Sequence, residues 1–186
     1  MTLTDGSINI MGFDLEKKPE EVRKIISYLP EDAGAYKNLT GVAYLKFIAN
    51  FYDPKTVNKI VTKGVKIADL AERINDKVDT YSKGMKRRLL VGRALMTDPT
   101  LAILDEPTSG LDVNNAQEIR NIIKDTAKKG TTVLLSSHNM LEVEYLCDRI
   151  ALIDDGLIVE EGRPADLMKK YKAANIEEVF TTVVKN

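Results

Sequence analysis

Three short stretches of this 186-residue chain carry residues that could do chemistry together. In "LAILDEPTSGLD", residues 101 to 112, an apolar run ends at once in two carboxylates, Asp105 and Glu106, followed by a proline and a turn. Successive strand residues alternate faces, so at such an exit one carboxylate can hold a metal through water while the other faces a nucleophile. Taken alone, the same pattern also fits an Asp105 that only caps the next helix. "VLLSSH" ends in His138, the only histidine, at the close of the next strand in sequence. From there it could reach the same cavity and donate to an anionic oxygen. "YSKGM" puts Ser82, Lys83, Gly84 and Met85 where a helical pattern begins. Backbone N–H groups at a helix start, a serine hydroxyl and a lysine together make an anion site. The plain alternative is an ordinary serine cap followed by a solvated basic run, Lys86, Arg87 and Arg88.

The elements that must position these residues are legible as runs of β-branched and aliphatic side chains: "SINIMGF", "KIISYL", "LAILD", "TTVLLSS" and "RIALID". The runs at 101, 131 and 149 are nearly continuously apolar, the pattern of strands buried on both faces of a parallel sheet. Between them, Ile119, Ile122, Ile123 and Ala127 fall on one helical face, and Gly130 sits where that helix would stop. Alternating strands and helices predict an α/β fold with a mainly parallel sheet. Residues 38–80 are helical in pattern and read as an insertion. "LIDDGLIVEEG" predicts a hairpin turning at Asp155-Gly156, and "RPADLMKKY" a helix with proline in its first turn. Ligands of open parallel sheets bind beyond the carboxyl ends of the strands. Three such ends carry polar residues: Glu31 after "ISYLP", Asp105 with Glu106, and His138.

A chain of this length buries roughly 70% of its unfolded surface, enough for one domain with its own core. With 27 basic against 28 acidic residues there is no basic excess, which argues against a nucleic-acid partner and makes any phosphate chemistry local. The single Cys147 excludes an internal disulfide and reads as a small buried residue. No apolar run approaches the roughly 20 residues needed to span a bilayer, and "MTLTDGSINI" lacks the regions of a signal peptide.

"YSKGM", "LAILDEP", "SGLD" and "SSH", in this order and spacing, resemble the ATP-binding subunits of ABC transporters over essentially the whole chain. "YLPEDAG" and "IEEVF" resemble the branch that exports drugs, antibiotics or lipids. The resemblance implies an α/β, P-loop NTPase-like fold, mainly parallel in its sheet, with a helical subdomain at 36–83 and a core formed by 1–35 and 84–186. It implies ATP and Mg2+ as ligands. Asp105 would help hold magnesium, Glu106 would polarise the attacking water and His138 would contact the γ-phosphate. Ser82, Lys83, Gly84 and Met85 would form the signature loop, and "SGLD" with Asp112 the D-loop. The implied partners are a transmembrane permease subunit, faced by the helical subdomain, and a second ATP-binding subunit in a head-to-tail dimer. The implied location is cytoplasmic, on the inner face of the cell membrane through the membrane partner.

The chain departs from the family pattern at Lys83 and Met85, which replace glycine and glutamine, and at Glu31, which stands where a glutamine is usual. A carboxylate there could bind magnesium or water, although its charge would repel a phosphate. No G-x-x-x-x-G-K-[ST] occurs in the 186 residues. Family order places that loop upstream of "TLTDGSI", so the expectation is a domain whose N-terminal part is missing and which is inactive alone. Two other readings stay open: a non-catalytic partner that lends its signature and D-loop to an intact subunit, and an ABC-type ATPase that serves no transporter. The family's sheet order also places an upstream strand between the strand leading to His138 and "RIALID". Without it these two strands are expected to pair directly, to split into separate sheets, or to be locally disordered.

Overall fold

The first half of "SINIMGF" does not run on as one strand. In the computed structural model, which describes residues 4–184, Met11 and Gly12 both take positive φ and turn the chain back on itself. The result is a two-residue hairpin turn joining β1 (Asn9–Ile10) to β2 (Phe13–Asp14). Residues 1–3 and 185–186, the ends of the expected 1–186 domain, lie outside the described residues. The chain then forms α1 (Pro19–Ile25), with proline in its first turn, and passes directly into β3 (Ile26–Leu29).

Residues 36–83 hold helices and turns, with an isolated bridge between Thr40 and Lys77. They contain α2 (Gly41–Ala49), capped by Thr40, α3 (Val57–Ala68), and two 3-10 turns at Ala71–Asn75 and Val78–Thr80. Helix α4 (Lys83–Leu95) packs on α3 and on β3. It starts at Lys83 because Ser82 provides the cap. Strand β4 (Leu101–Asp105) follows, then α5 (Val113–Lys128) and β5 (Thr132–Ser136).

Strands β3, β4 and β5 form a parallel sheet with β4 at its centre, Leu104 facing Leu29 on one side and Leu135 on the other. Ala102 and Leu104 are fully buried beside Leu29, while Leu101 and Ile103 on the other face are only half-buried. Burial of each leucine contributes about 1.5 to 3 kcal/mol. The expectation that the run at 131 is buried on both faces does not hold for β5. It is an edge strand among the described residues, and Leu134 is 58% exposed.

The chain divides into two compact units, residues 1–136 and 137–186. The second contains α6 (Met140–Leu146), β6 (Ile150–Asp154), β7 (Leu157–Gly162), α7 (Pro164–Tyr171) and α8 (Ile176–Val184). Ile150, Leu152, Leu167, Ile176 and Val179 form its core, with Cys147 half-buried against them. Burial pushes the Cys147 thiol up to about 11, so it stays protonated. The hairpin turns at Asp155-Gly156 as expected, both at positive φ. Among the described residues β6 is hydrogen-bonded to β7, antiparallel, as a two-stranded sheet. Ile153 and its register partner Ile158, which share one face of this hairpin, are both exposed.

Two measurements follow from this architecture. Hydrogen exchange should be slow for amides 101–105, held between two parallel neighbours, and fast for 149–161; equally slow exchange in both would contradict a singly paired hairpin. In the second unit, the Glu160 carboxylate accepts from the Lys170 ammonium and the Tyr171 hydroxyl, which hold it down to about 2 from an ordinary 4.5. A depressed carboxyl stabilises the fold above its unfolded pKa and loses that contribution as pH falls through its folded value. Thermal denaturation should therefore show Glu160→Gln to be less stable than the parent at pH 7, with the gap closing between about 4.5 and about 2. A pH-independent gap would remove this account.

Candidate functional site

The exits of β3 and β4 are held by one side chain. Arg87 lies on the buried face of α4 and is only 8% exposed. Its Nε donates to the Pro107 carbonyl at 2.8 Å, and one terminal nitrogen donates to the carbonyls of Glu31 at 3.1 Å and Pro30 at 3.4 Å. The other donates to the carbonyls of Asp105 at 2.8 Å and Glu106 at 2.5 Å. Burial pulls the guanidinium below its ordinary value, and the neighbouring charges of Glu31, Asp105 and Glu106 oppose that pull. Arginine remains protonated regardless, so these bonds are charge-assisted, each worth about 1.5 to 3 kcal/mol. The plain reading of 86–88 as a solvated basic run is therefore corrected at Arg87. Arg88 is also committed, to Glu118 at 3.0 Å and to the Asp69 carbonyl at 3.1 Å.

The carboxylates are oriented by hydroxyl groups. Asp105 is the last residue of β4 and accepts from Ser136 Oγ, its register partner on β5. The next residue, Glu106, has φ of 45°, a left-handed conformation uncommon for a residue with a Cβ. Its N–H donates to the Ser136 carbonyl at 3.1 Å, which together with Arg87 holds this turn. Backbone strain of this kind costs about 1 to 3 kcal/mol and persists only where surroundings over-determine it. Glu31 is exposed, and its Oε1 accepts from Ser109 Oγ at 3.1 Å. Glu31, Asp105 and Glu106 are thus brought to one end of the sheet. The helix cap that Asp105 could have provided belongs instead to Asp112, whose Oδ1 accepts from Asn115 N at 3.0 Å. That bond, with a second from the Asn115 side chain, holds the Asp112 carboxyl below its usual range.

Ser82 caps α4, its Oγ accepting from Met85 N at 3.2 Å. The first N–H groups of a helix have no intrahelical acceptor, so the exposed turn at Ser82 and Lys83 presents donors and a cation to solvent. This turn is docked on the "SGLD" segment. A Cβ on Gly84 would collide with the Asn115 side-chain amide, and one on Gly110 with Lys83 Nζ. Gly110 also has φ of 65°. Ser82, Lys83, Gly84, Met85 and Asp112 therefore form one surface with Gly110 and Asn115. His138 lies exposed in the bend between β5 and α6 and belongs to the second unit.

Among the described residues no group of three His, Cys, Asp or Glu side chains could enclose a metal by itself. One or two carboxylates suit Mg2+ nonetheless, because it keeps several waters and completes its shell with substrate phosphates. Sequence reasoning passed over Arg87, Ser109, Asn115 and Ser136. Arg87 was findable: Gly84, Arg87, Val91 and Ala94 follow the helical period of the apolar stripe, so a charge at 87 must be buried.

A sequence model described as ABC transporter matches residues 1–109. The linearmycin resistance ATP-binding protein LnrL of Bacillus subtilis is 36% identical, over 97% of this chain and 61% of its own length. The ABC transporter ATP-binding protein NatA of the same organism is 32% identical, over 95% of this chain and 73% of its own. A solved ATP-binding subunit of an ABC transporter superposes with a TM-score of 0.83 at 26% identity, covering 97% of this chain and 77% of that one. The chain thus spans a little over half to three quarters of these proteins, and their activities belong to the longer molecules. No helix among the described residues is long and apolar enough to cross a membrane. The match over more than half of the chain, and relatives above 30% identity on the same α/β framework, make this chain a member of the ABC transporter family, among its ATP-binding proteins.

Proposed function

We propose that these residues belong to an ATP-binding subunit that couples ATP hydrolysis to export through a transmembrane permease subunit, at the inner face of the cell membrane. The observation that carries this reading is the joint placement of Glu31, Asp105 and Glu106 at one end of a parallel sheet by Arg87. In this reading Asp105 holds Mg2+, directly or through water, with Ser136 fixing its orientation. The ion supplies charge neutralisation on the phosphates of the substrate ATP. Glu106, the next residue in sequence, polarises the attacking water. Glu31 takes a place on the ion or its waters, where its charge is tolerated. His138 donates to the γ-phosphate. The helical segment 36–83 faces the permease, and 1–35 with 84–186 is the ATPase core.

The signature surface serves a different nucleotide. Ser82, Gly84 and the α4 amide groups donate to the γ-phosphate of ATP held by a second ATP-binding subunit in a head-to-tail dimer, Lys83 adds a positive charge, and Met85 and Asp112 shape the turn around it. That LnrL is a linearmycin resistance ATP-binding protein supports this reading.

A second reading, that the chain lends this surface to an intact subunit, is favoured by the exposed donors and cation at Ser82 and Lys83. The 186 residues contain no G-x-x-x-x-G-K-[ST], the loop whose N–H groups and lysine grip the phosphates.

Each lost charge-assisted contact is worth about 1.5 to 3 kcal/mol, so ATP affinity of the isolated 186-residue polypeptide should be lower by orders of magnitude. Steady-state assays should give background ATPase only; robust turnover abolished by Glu106→Gln would overturn that expectation. Mixing the polypeptide with a family subunit that retains the phosphate loop should restore one active site. Replacing Ser82 with tryptophan should remove the gain, and equal rescue by this variant would sink the shared site.

A further inference from the structure

We propose that Arg87 is a positioning residue: it fastens the backbones that carry Glu31, Asp105 and Glu106 to the start of α4, so that the signature turn and the three carboxylates move as one body. This rests on the roles proposed for those residues, but its physical basis is separate from them.

The geometry is specific to a guanidinium. Five carbonyls on two loops converge on one buried side chain, and each of its three nitrogens is engaged. Pro30 and Glu31 leave β3, whereas Asp105, Glu106 and Pro107 leave β4, so these loops meet through Arg87. A planar fork reaches acceptors on both sides at once; a lysine ammonium offers three donors from a single point. Arg87 stands one helical turn after Gly84, the residue pressed against Asn115. A displacement of the signature turn therefore has a short, stiff route to the carboxylates, through a side chain that cannot give up its acceptors without leaving a buried charge unsatisfied. The route matters because the signature turn is assigned to one ATP and the carboxylates to another. Arg87 then ties together the halves of two different sites.

The test uses the full 186-residue chain. Hydrogen exchange of amides 31–33 and 106–111 should accelerate by about tenfold or more in Arg87→Met, while amides of β4 and the second half of α4 stay as slow as in the parent. Arg87→Lys should recover part of this protection. Acceleration spread evenly over residues 4–136, no acceleration, or full recovery with lysine would each overturn the assignment. Should Arg87→Met fail to fold, the parent protein decides alone. Its Arg87 Nε–H and guanidinium protons should appear as separate, slowly exchanging resonances in NMR spectra, and a single averaged, rapidly exchanging signal would refute the fastening. Neither measurement needs nucleotide, so their outcome is independent of the ATPase and mixing results that decide the proposed function.

Discussion

A buried guanidinium sets the terms for the first unit. Arg87 enters the interior only because carbonyls at the exits of β3 and β4 surround it, and those carbonyls face inward only because Arg87 is there. The cost of burying a charge is met by hydrogen bonds, and the exits become rigid in consequence. This rigidity explains how Glu106 keeps a left-handed backbone without being glycine. The carbonyl of Glu106 is held by Arg87 and its amide by Ser136, leaving the strained residue no route to relax.

The answer to why an apolar strand should end in two adjacent carboxylates lies in that arrangement. The sheet anchors Leu104 at its centre, the next two residues inherit fixed directions, and hydroxyl groups from elsewhere in the first unit orient the side chains. Ser136 reaches Asp105 because β5 lies beside β4 in register, and Ser109 reaches Glu31 because the turn after Glu106 folds back over the β3 exit.

Much of this was legible before any coordinates. The parallel framework, the helical pattern over 38–80, the hairpin at Asp155-Gly156 and the cap at Ser82 follow from periodicity and turn chemistry, which act over a few residues. What escaped was set at longer range. Met11-Gly12 broke "SINIMGF" because a local turn outweighed a weak strand tendency. The run "RIALID" has the apolar content of a buried parallel strand, but which neighbour it takes is decided by pairing, and β7 follows only two residues later. Arg87 could be placed on the apolar stripe of α4, but Lys86 and Arg88 on either side suggest a solvated face. Its acceptors lie about twenty residues ahead and more than fifty behind, beyond any local pattern.

The docking of Lys83 over Gly110 bears on how this protein can drift in sequence. The lysine stem fills the space that a side chain at 110 would need, and Asn115 fills the space that one at 84 would need. The two segments are thus reciprocal moulds, each glycine shaped by a bulky neighbour on the opposite strand of chain. Replacing Lys83 with a smaller residue would open the room above position 110, yet the positive φ there would still favour glycine. At position 84 the backbone imposes no such demand, and the side chain of Asn115 is what a Cβ there would meet first. Position 84 is thus limited by a neighbouring side chain, whereas 110 is tied to glycine by its own backbone whatever stands at 83.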